Sequence, residues 1–207
     1  MISLLIDTST SNLNVSIIKD QEILYRYKEK ILLDMSSKLL PIIDKGLKKL
    51  NLNLKDINKI FVVNGPGSFT GIRVGVTVAK TIAWALGKAV VPISSLELMA
   101  TTNTNKKYLV PMIDARRGNV FTGIYDTALN SIKSDKLLNL NEFIDKLDEE
   151  HEFISYDKLD VQNIIEPNID VLKIINKHIN DKGINPHHLN PNYLKLTEAE
   201  ENKLKND

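Results

Sequence analysis

The sequence contains no cysteine, and this absence excludes disulfide bridges, thiolate metal sites and a cysteine nucleophile together. It also lacks any apolar run that approaches the roughly 20 residues of a membrane-spanning helix. Residues 1–11 carry an aspartate and no basic segment, so we expect neither an export signal nor membrane insertion. We therefore expect a cytoplasmic protein.

An excess of charge of one sign is missing as well, because 27 Lys and Arg side chains stand against 26 Asp and Glu side chains in 207 residues. A protein that binds nucleic acid by itself usually presents a strongly basic face, since phosphate neutralisation supplies most of the non-specific affinity. We do not expect this chain to bind tRNA alone, and a shared or indirect role stays open.

Histidine is scarce and has no metal-ligand spacing. The four histidines all come after residue 150, and none forms a His-x-x-x-His pair. The adjacent His187 and His188 follow Pro186 in a predicted loop, where a solvated pair is the simpler interpretation. Serine hydrolase signatures are also absent, so we expect no metal and no hydrolytic site.

Hydrophobic periodicity predicts nearly the same order of strands and helices twice. The second half contains a predicted helix over residues 141–149 and a last helix that is capped by Asn168 and ends near His178. We interpret the chain as an α/β protein of two lobes, residues 1–103 and 104–207, with a charged tail over 198–207. The predicted strands are 2–8, 13–19, 22–29, 59–63, 89–93, 108–114, 120–126, 132–138 and 152–155, and the helices of the first half are 35–50 and 71–86.

A glycine-rich loop joins a predicted strand to a predicted helix. Five of the nine glycines lie between residues 65 and 87. Backbone amides at such a junction can hold a phosphate, but the segment has neither the Walker A ending nor the dinucleotide spacing. The alternative is a tight turn in which Ser68 or Thr70 caps the helix.

Within that helix, Gly71, Gly75, Ala79 and Ala83 recur every four residues and form one stripe. Glycine inside a helix costs roughly 0.5–1 kcal/mol relative to alanine, so the stripe indicates close packing against something. One interpretation is packing on the protein's own sheet. The other is a helix-pairing interface, with Ile72, Val76 and Ile82 as flanking apolar contacts.

Two aspartates end apolar strands at equivalent places in the two lobes. Asp7 and Asp114 therefore form a candidate carboxylate pair facing a cleft, and Thr8 and Arg116 accompany them as candidate nucleotide or cleft residues. Strand-end aspartates also accept hydrogen bonds from turn amides, which is the alternative role.

Several segments together resemble the TsaB (YeaZ) family. The segment 64–75, NGPGSFTGIRVG, is highly specific, and Ser94-Ser95-Leu96-Glu97 and Ile113-Asp114-Ala115-Arg116 are moderately so. The resemblance extends over nearly the whole chain. Further matches lie at residues 6–10, at Ala79 and Lys80 in the continuation of the helix, and at residues 191–195, with a weaker similarity at 198–200. We identify the chain as a member of this family.

The resemblance implies two RNase H-like lobes of the actin/Hsp70-like superfamily. It also implies a non-catalytic protein required for threonylcarbamoylation of adenosine 37 in tRNAs that read codons beginning with A. Its implied partners are the catalytic paralogue TsaD, the ATPase TsaE and a second copy of itself, and tRNA is reached only through the complex. No cofactor of its own is expected, while the assembled complex uses ATP. By resemblance, the pairing residues lie on two helices: Met35, Leu39, Ile42, Ile43, Gly71, Ile72, Gly75, Val76, Ala79 and Ala83.

A competing hypothesis is an ATPase or small-molecule kinase that uses Asp7 and Asp114. It rests on the two-lobed architecture. It is weakened by the lack of glycine in residues 7–10, since nucleotide-binding members of the superfamily place glycines in both phosphate hairpins. Arg73 and Arg116 could each approach tRNA in a complex or serve as structural ion-pair partners.

Overall fold

In a computed structural model, the described residues are 1–31, 34–148 and 150–194. They form two mixed sheets, each flanked by helices. The predicted tail over 198–207 lies outside the described residues. The first half contains β1 (Ile2–Asp7), β2 (Asn12–Lys19), β3 (Glu22–Lys30), α1 (Met35–Lys49), β4 (Lys59–Gly65), α2 (Phe69–Ala85), β5 (Val90–Ser94) and α3 (Ser95–Met99). The second half contains β6 (Tyr108–Arg116), β7 (Asn119–Asp126), β8 (Ser131–Asn139), α4 (Leu140–Ile144), β9 (His151–Ile154) and α5 (Val171–His178).

The two sheets repeat one topology. The first has the order β3-β2-β1-β4-β5, in which β2 is antiparallel to β1 and to β3, while β4 is parallel to β1 and to β5. The second has the order β8-β7-β6-β9, with β7 antiparallel and β9 parallel to β6. This arrangement confirms the predicted pair of RNase H-like lobes.

Three short elements differ from the sequence predictions. The helix predicted over 141–149 is only Leu140–Ile144 in the structure, because tight turns to the Phe143 and Ile144 carbonyls follow it. The last helix begins at Val171 with Asp170 as its cap, and Asn168 instead donates its backbone N–H to Thr102 Oγ1. Helix α3 has five residues, which is too few for periodicity to reveal.

Each face of the first sheet has its own core. Leu4, Ile6 and Val62 pack with α1 and α2 on one face. On the other face, Leu5 and Phe61 share a cluster with residues of the second sheet and of α5. The central strands β1 and β4 are therefore buried on both sides, which matches their nearly continuous apolar sequences.

A partly buried ion-pair network also joins the lobes. The Glu97 carboxylate of α3 lies 2.8 Å from Lys177 Nζ and 3.0 Å from His178 Nε2, both at the end of α5. The hydrogen bond to Glu97 raises the pKa of His178.

Among the described residues, no helix is both long and apolar enough to cross a bilayer.

Candidate functional site

The glycine loop lets three backbone segments meet. A Cβ on Gly67 would overlap the carbonyl oxygen of Ser9, and a Cβ on Gly65 would overlap that of Asn192. The Gly65 backbone has φ +120°, which side chains rarely adopt. Asn192 donates its N–H to the Asn64 carbonyl at 2.7 Å, so the chain after α5 closes over the loop. These contacts account for both glycines.

The loop ends in a helix cap. Ser68 Oγ accepts the N–H of Gly71 at 3.2 Å, and α2 begins at Phe69. This geometry confirms the capping interpretation for Ser68.

The small-residue stripe of α2 packs inside the protein, against the end of β1. A Cβ on Gly71 would overlap the Thr8 carbonyl oxygen, and one on Gly75 would overlap Thr8 Oγ1. Thr8 Oγ1 donates to the Gly71 carbonyl at 2.7 Å, which fixes the helix against the strand. Ala79 and Ala83 are fully buried on the same stripe.

This placement corrects the residues assigned to pairing. Only Met35 of the proposed set is partly exposed, and the other nine are buried in the chain's own core. Their spacing indicated a close contact, but the contact is with the protein's own sheet. The nine buried residues are Leu39, Ile42, Ile43, Gly71, Ile72, Gly75, Val76, Ala79 and Ala83.

The opposite side of α2 is exposed and carries large side chains. Phe69 and Trp84 are 48% and 64% exposed, although aromatic side chains are usually buried. Arg73, Thr77 and Thr81 lie between them at four-residue spacing and are also exposed. We call Phe69, Arg73, Thr77, Thr81 and Trp84 the outer face of α2.

The outer face continues onto the start of α1. A groove of about 390 Å³ is lined by Ser36 of α1 together with Phe69, Arg73 and Thr77 of α2. Leu40, one turn after Ser36, is 54% exposed. Two neighbouring helices therefore present one surface with few charges.

One end of the outer face is rigidly arranged by the last described residues. Phe69 and Tyr193 stack with their ring centroids 4.9 Å apart. The Arg73 guanidinium carbon lies 3.8 Å from the Phe69 centroid, and Arg73 Nε donates to the Tyr193 hydroxyl at 2.7 Å. Stacking and a hydrogen bond together fix the orientation of the guanidinium.

The candidate cleft residues do not form one site. A cleft of about 570 Å³ between the lobes is lined by Asp114, Arg116 and the Ser9 turn, among others. Asp114 Oδ1 accepts the N–H of Arg116 at 2.7 Å, which is the turn-bonding role. Asp7 is buried behind Ser9, whose N–H and Oγ donate to Asp7 Oδ1 at 2.9 and 2.7 Å. Thr8 holds α2 by the bond described above.

Burial raises the pKa of Asp7 to about 6, above the usual 3.8, although the two bonds from Ser9 oppose the rise. Between pH 4 and 6, Asp7 therefore keeps its proton in the native chain and loses it in the unfolded chain. In this range the free energy of unfolding falls as pH rises, and above pH 6 the full cost of burying the charge is present.

We expect Asp7→Asn to stabilise the protein at neutral pH. The amide oxygen can still accept both bonds from Ser9, and no charge is buried. At pH 7.5 the free energy of unfolding should increase by up to about 3 kcal/mol, whereas at pH 4 it should change little. Urea unfolding at both pH values measures this difference, with the exposed Asp114→Asn as the matched control. A variant that is less stable than the wild type at pH 7.5 would show that a charged Asp7 is stabilising.

Within the described ranges, no group of three or more His, Cys, Asp or Glu side chains is placed to hold a metal ion.

The comparisons with known proteins return a TsaD family model and TsaB relatives. The family model of TsaD, tRNA N6-adenosine threonylcarbamoyltransferase, matches residues 33–166. The tRNA threonylcarbamoyladenosine biosynthesis protein TsaB of Bacillus subtilis is 34% identical over 72% of this chain and 67% of its own length. The chain belongs to the TsaB family. The TsaB of Buchnera aphidicola from Schizaphis graminum is 31% identical over 70% of this chain and 72% of its own length.

A solved structure shows the same fold as this TsaB family member. It is an uncharacterized Pseudomonas aeruginosa protein with similarity to the peptidase YEAZ, and it superposes with a TM-score of 0.80. The superposition covers 94% of this chain and 99% of the other at 21% identity. The curated relatives confirm the family that the sequence motifs indicated.

The sequence interpretation missed the outer face of α2. The signal was present, because Arg73, Thr77 and Thr81 are polar positions at four-residue spacing opposite the stripe. Trp84 and Phe69 extend that polar side with aromatic rings. The role of Tyr193 had no local signal, since its partners are 120 residues away or more.

Proposed function

We propose that this TsaB family member is a non-catalytic subunit in the threonylcarbamoylation of adenosine 37 in tRNAs that read codons beginning with A. It pairs with a TsaD-like catalytic paralogue through the outer face of α2 and the start of α1. The exposed Trp84 and Phe69, on a helix whose inner side is fully used by the core, carry this proposal.

The chemistry of the outer face suits a protein partner. The outer face combines two exposed aromatic rings, threonines and an arginine that is held by stacking. Helix α2 carries no carboxylate side chain. Tryptophan and arginine are the residues that most often dominate binding energy in protein interfaces. The match to the TsaD family model also supports a TsaD-like partner, because related folds readily pair through equivalent helices.

The remaining parts of the proposal follow the family resemblance. A TsaE-like ATPase joins the pair, the assembled complex uses ATP, and this chain supplies no cofactor of its own. Without the paralogue, a second copy of the chain takes the same surface as a homodimer. The tRNA is bound only by the assembly, and the protein works in the cytoplasm.

Complex formation tests the proposal directly. The chain is mixed with the TsaD-like protein from the same cell and examined by size exclusion with light scattering, with and without Mg-ATP and the TsaE-like ATPase. We expect a stoichiometric heteromeric peak that replaces any homodimer.

The same components provide the functional control. With tRNA, ATP and an activated threonylcarbamoyl donor, modified adenosine should form only when this chain is present. No complex at about 10–50 μM under either condition, with both proteins folded, would contradict the pairing role. ATP turnover by the chain alone would favour the ATPase hypothesis instead.

A further inference from the structure

A large cavity lies on the second lobe, far in sequence from α2. It is a groove of about 850 Å³ beside β9, the edge strand of the second sheet. Its floor consists of five partly exposed apolar side chains that pack on the core of this lobe. They are Ile144, Leu147, Phe153, Leu159 and Val161.

The edge of β9 is only partly covered. The backbone of Phe153 points away from β6, because its carbonyl accepts the N–H of Ile165 at 2.9 Å. The N–H of Ser155 donates to the Ile165 carbonyl, so the segment around Ile165 covers the end of the strand. By the alternation of a strand, the N–H of Phe153 and the carbonyl of His151 face the same side.

Neither of these two backbone groups has a hydrogen-bond partner among the residues the structure describes. They are spaced so that one residue of an extended chain, running parallel to β9, can donate to the His151 carbonyl and accept from the Phe153 N–H. An open edge of this kind is a site for adding a strand.

Four acidic side chains and one lysine, Lys106, line the groove. Asp145 and Asp160 are exposed at its rim. Asp148 is bonded to His151 Nδ1 at 2.6 Å, and Glu152 accepts the Thr104 hydroxyl at 2.5 Å. The rim therefore favours positive charge, while the floor favours aliphatic side chains.

We propose that this groove binds an extended segment of a partner protein, in which lysine or arginine alternates with aliphatic residues. The segment adds one strand beside β9. Its aliphatic side chains contact the apolar floor and its basic side chains contact Asp145 and Asp160. This surface is separate from the outer face of α2 and does not depend on pairing with a TsaD-like protein.

The probe is a fluorescein-labelled peptide of alternating lysine and valine, seven residues long, with blocked ends. Its binding to the full chain is followed by fluorescence anisotropy up to about 1 mM protein. We expect saturable binding, which the double variant Asp145→Lys/Asp160→Lys weakens by about tenfold or more. The matched control Glu22→Lys/Asp44→Lys changes the net charge equally on the first lobe and should bind as the wild type does.

A second peptide separates strand addition from simple charge attraction. Methylation of the valine backbone nitrogens keeps every charge but removes the N–H donors, so its binding should be lost. Equal binding of the methylated peptide, equal loss in the two double variants, or no binding of the unmodified peptide would each overturn the proposal.

Discussion

Replacing Gly75 with leucine is expected to lower the free energy of unfolding by about 3 kcal/mol, since overfilling of a packed core typically costs 1–3 kcal/mol and a buried bond is lost as well. Even a Cβ at this position would overlap Thr8 Oγ1, so α2 must move away from β1. That movement also breaks the bond from Thr8 to the Gly71 carbonyl. Thermal unfolding should show a midpoint lowered by roughly 6–12 °C.

Thr77→Leu is the matched control, because it adds a leucine to the exposed side of the same helix. Its free energy of unfolding should stay within about 0.5 kcal/mol of the wild type. A Gly75→Leu variant that unfolds at the wild-type temperature would mean that the stripe does not pack on β1. If the stripe formed a helix-pairing interface instead, Gly75→Leu would block pairing in a chain that still folds.

Trp84→Ala is expected to weaken binding to the TsaD-like partner by about thirtyfold, because a buried tryptophan at the centre of an interface commonly contributes 2 kcal/mol or more. The side chain is 64% exposed in the free chain, so its removal leaves no cavity in the core. The thermal midpoint should therefore be unchanged while the dissociation constant rises. Isothermal titration calorimetry with the partner measures the constant.

Ile132→Ala provides the comparison for a large exposed apolar side chain. Ile132 is 51% exposed on β8 of the second lobe, away from the outer face. Its truncation should leave the dissociation constant within about twofold of the wild type, a change of roughly 0.4 kcal/mol. Equal affinity of Trp84→Ala and the wild type would exclude the outer face as the pairing surface.

The two substitutions on α2 separate folding from pairing. A side chain at Gly75 would meet Thr8 and Ile6 of the protein's own core, so its substitution should affect stability. Trp84 faces outward, so its substitution should affect binding. In the proposed arrangement, a single helix contacts the core with its small residues and the partner with its large ones. The close approach of Gly71 and Gly75 to Thr8 fixes the orientation of the helix and so determines which side chains remain outside.

Much of the fold could be predicted from local patterns. Alternation and apolar runs located the strands, and the spacing of Leu39, Ile42 and Ile43 located α1. The errors fall on elements of five residues and on the start of α5, where a serine, asparagine or aspartate cap can stand at several neighbouring positions. The capping role of Ser68 could also be predicted from the sequence, because a cap contacts a residue only three positions away.

The candidate site was predicted less well. Asp7 ends β1, whereas β6 continues past Asp114 to Arg116. Asp7 is buried behind Ser9, and Asp114 bonds its own turn at the cleft surface. Strand position alone does not specify how deeply a side chain is covered by a later loop.

By itself, the sequence determined the absence of thiol chemistry, the order of most elements and the family, since composition, periodicity and a specific motif are local properties. Only the tertiary structure decided which side of α2 is inside. A stripe of small residues shows that something approaches closely, but the partner of Gly75 is Thr8, 67 positions earlier in the chain. Contacts between distant segments are set by the packing of whole lobes, and the exposed side of α2 is what that packing leaves uncovered.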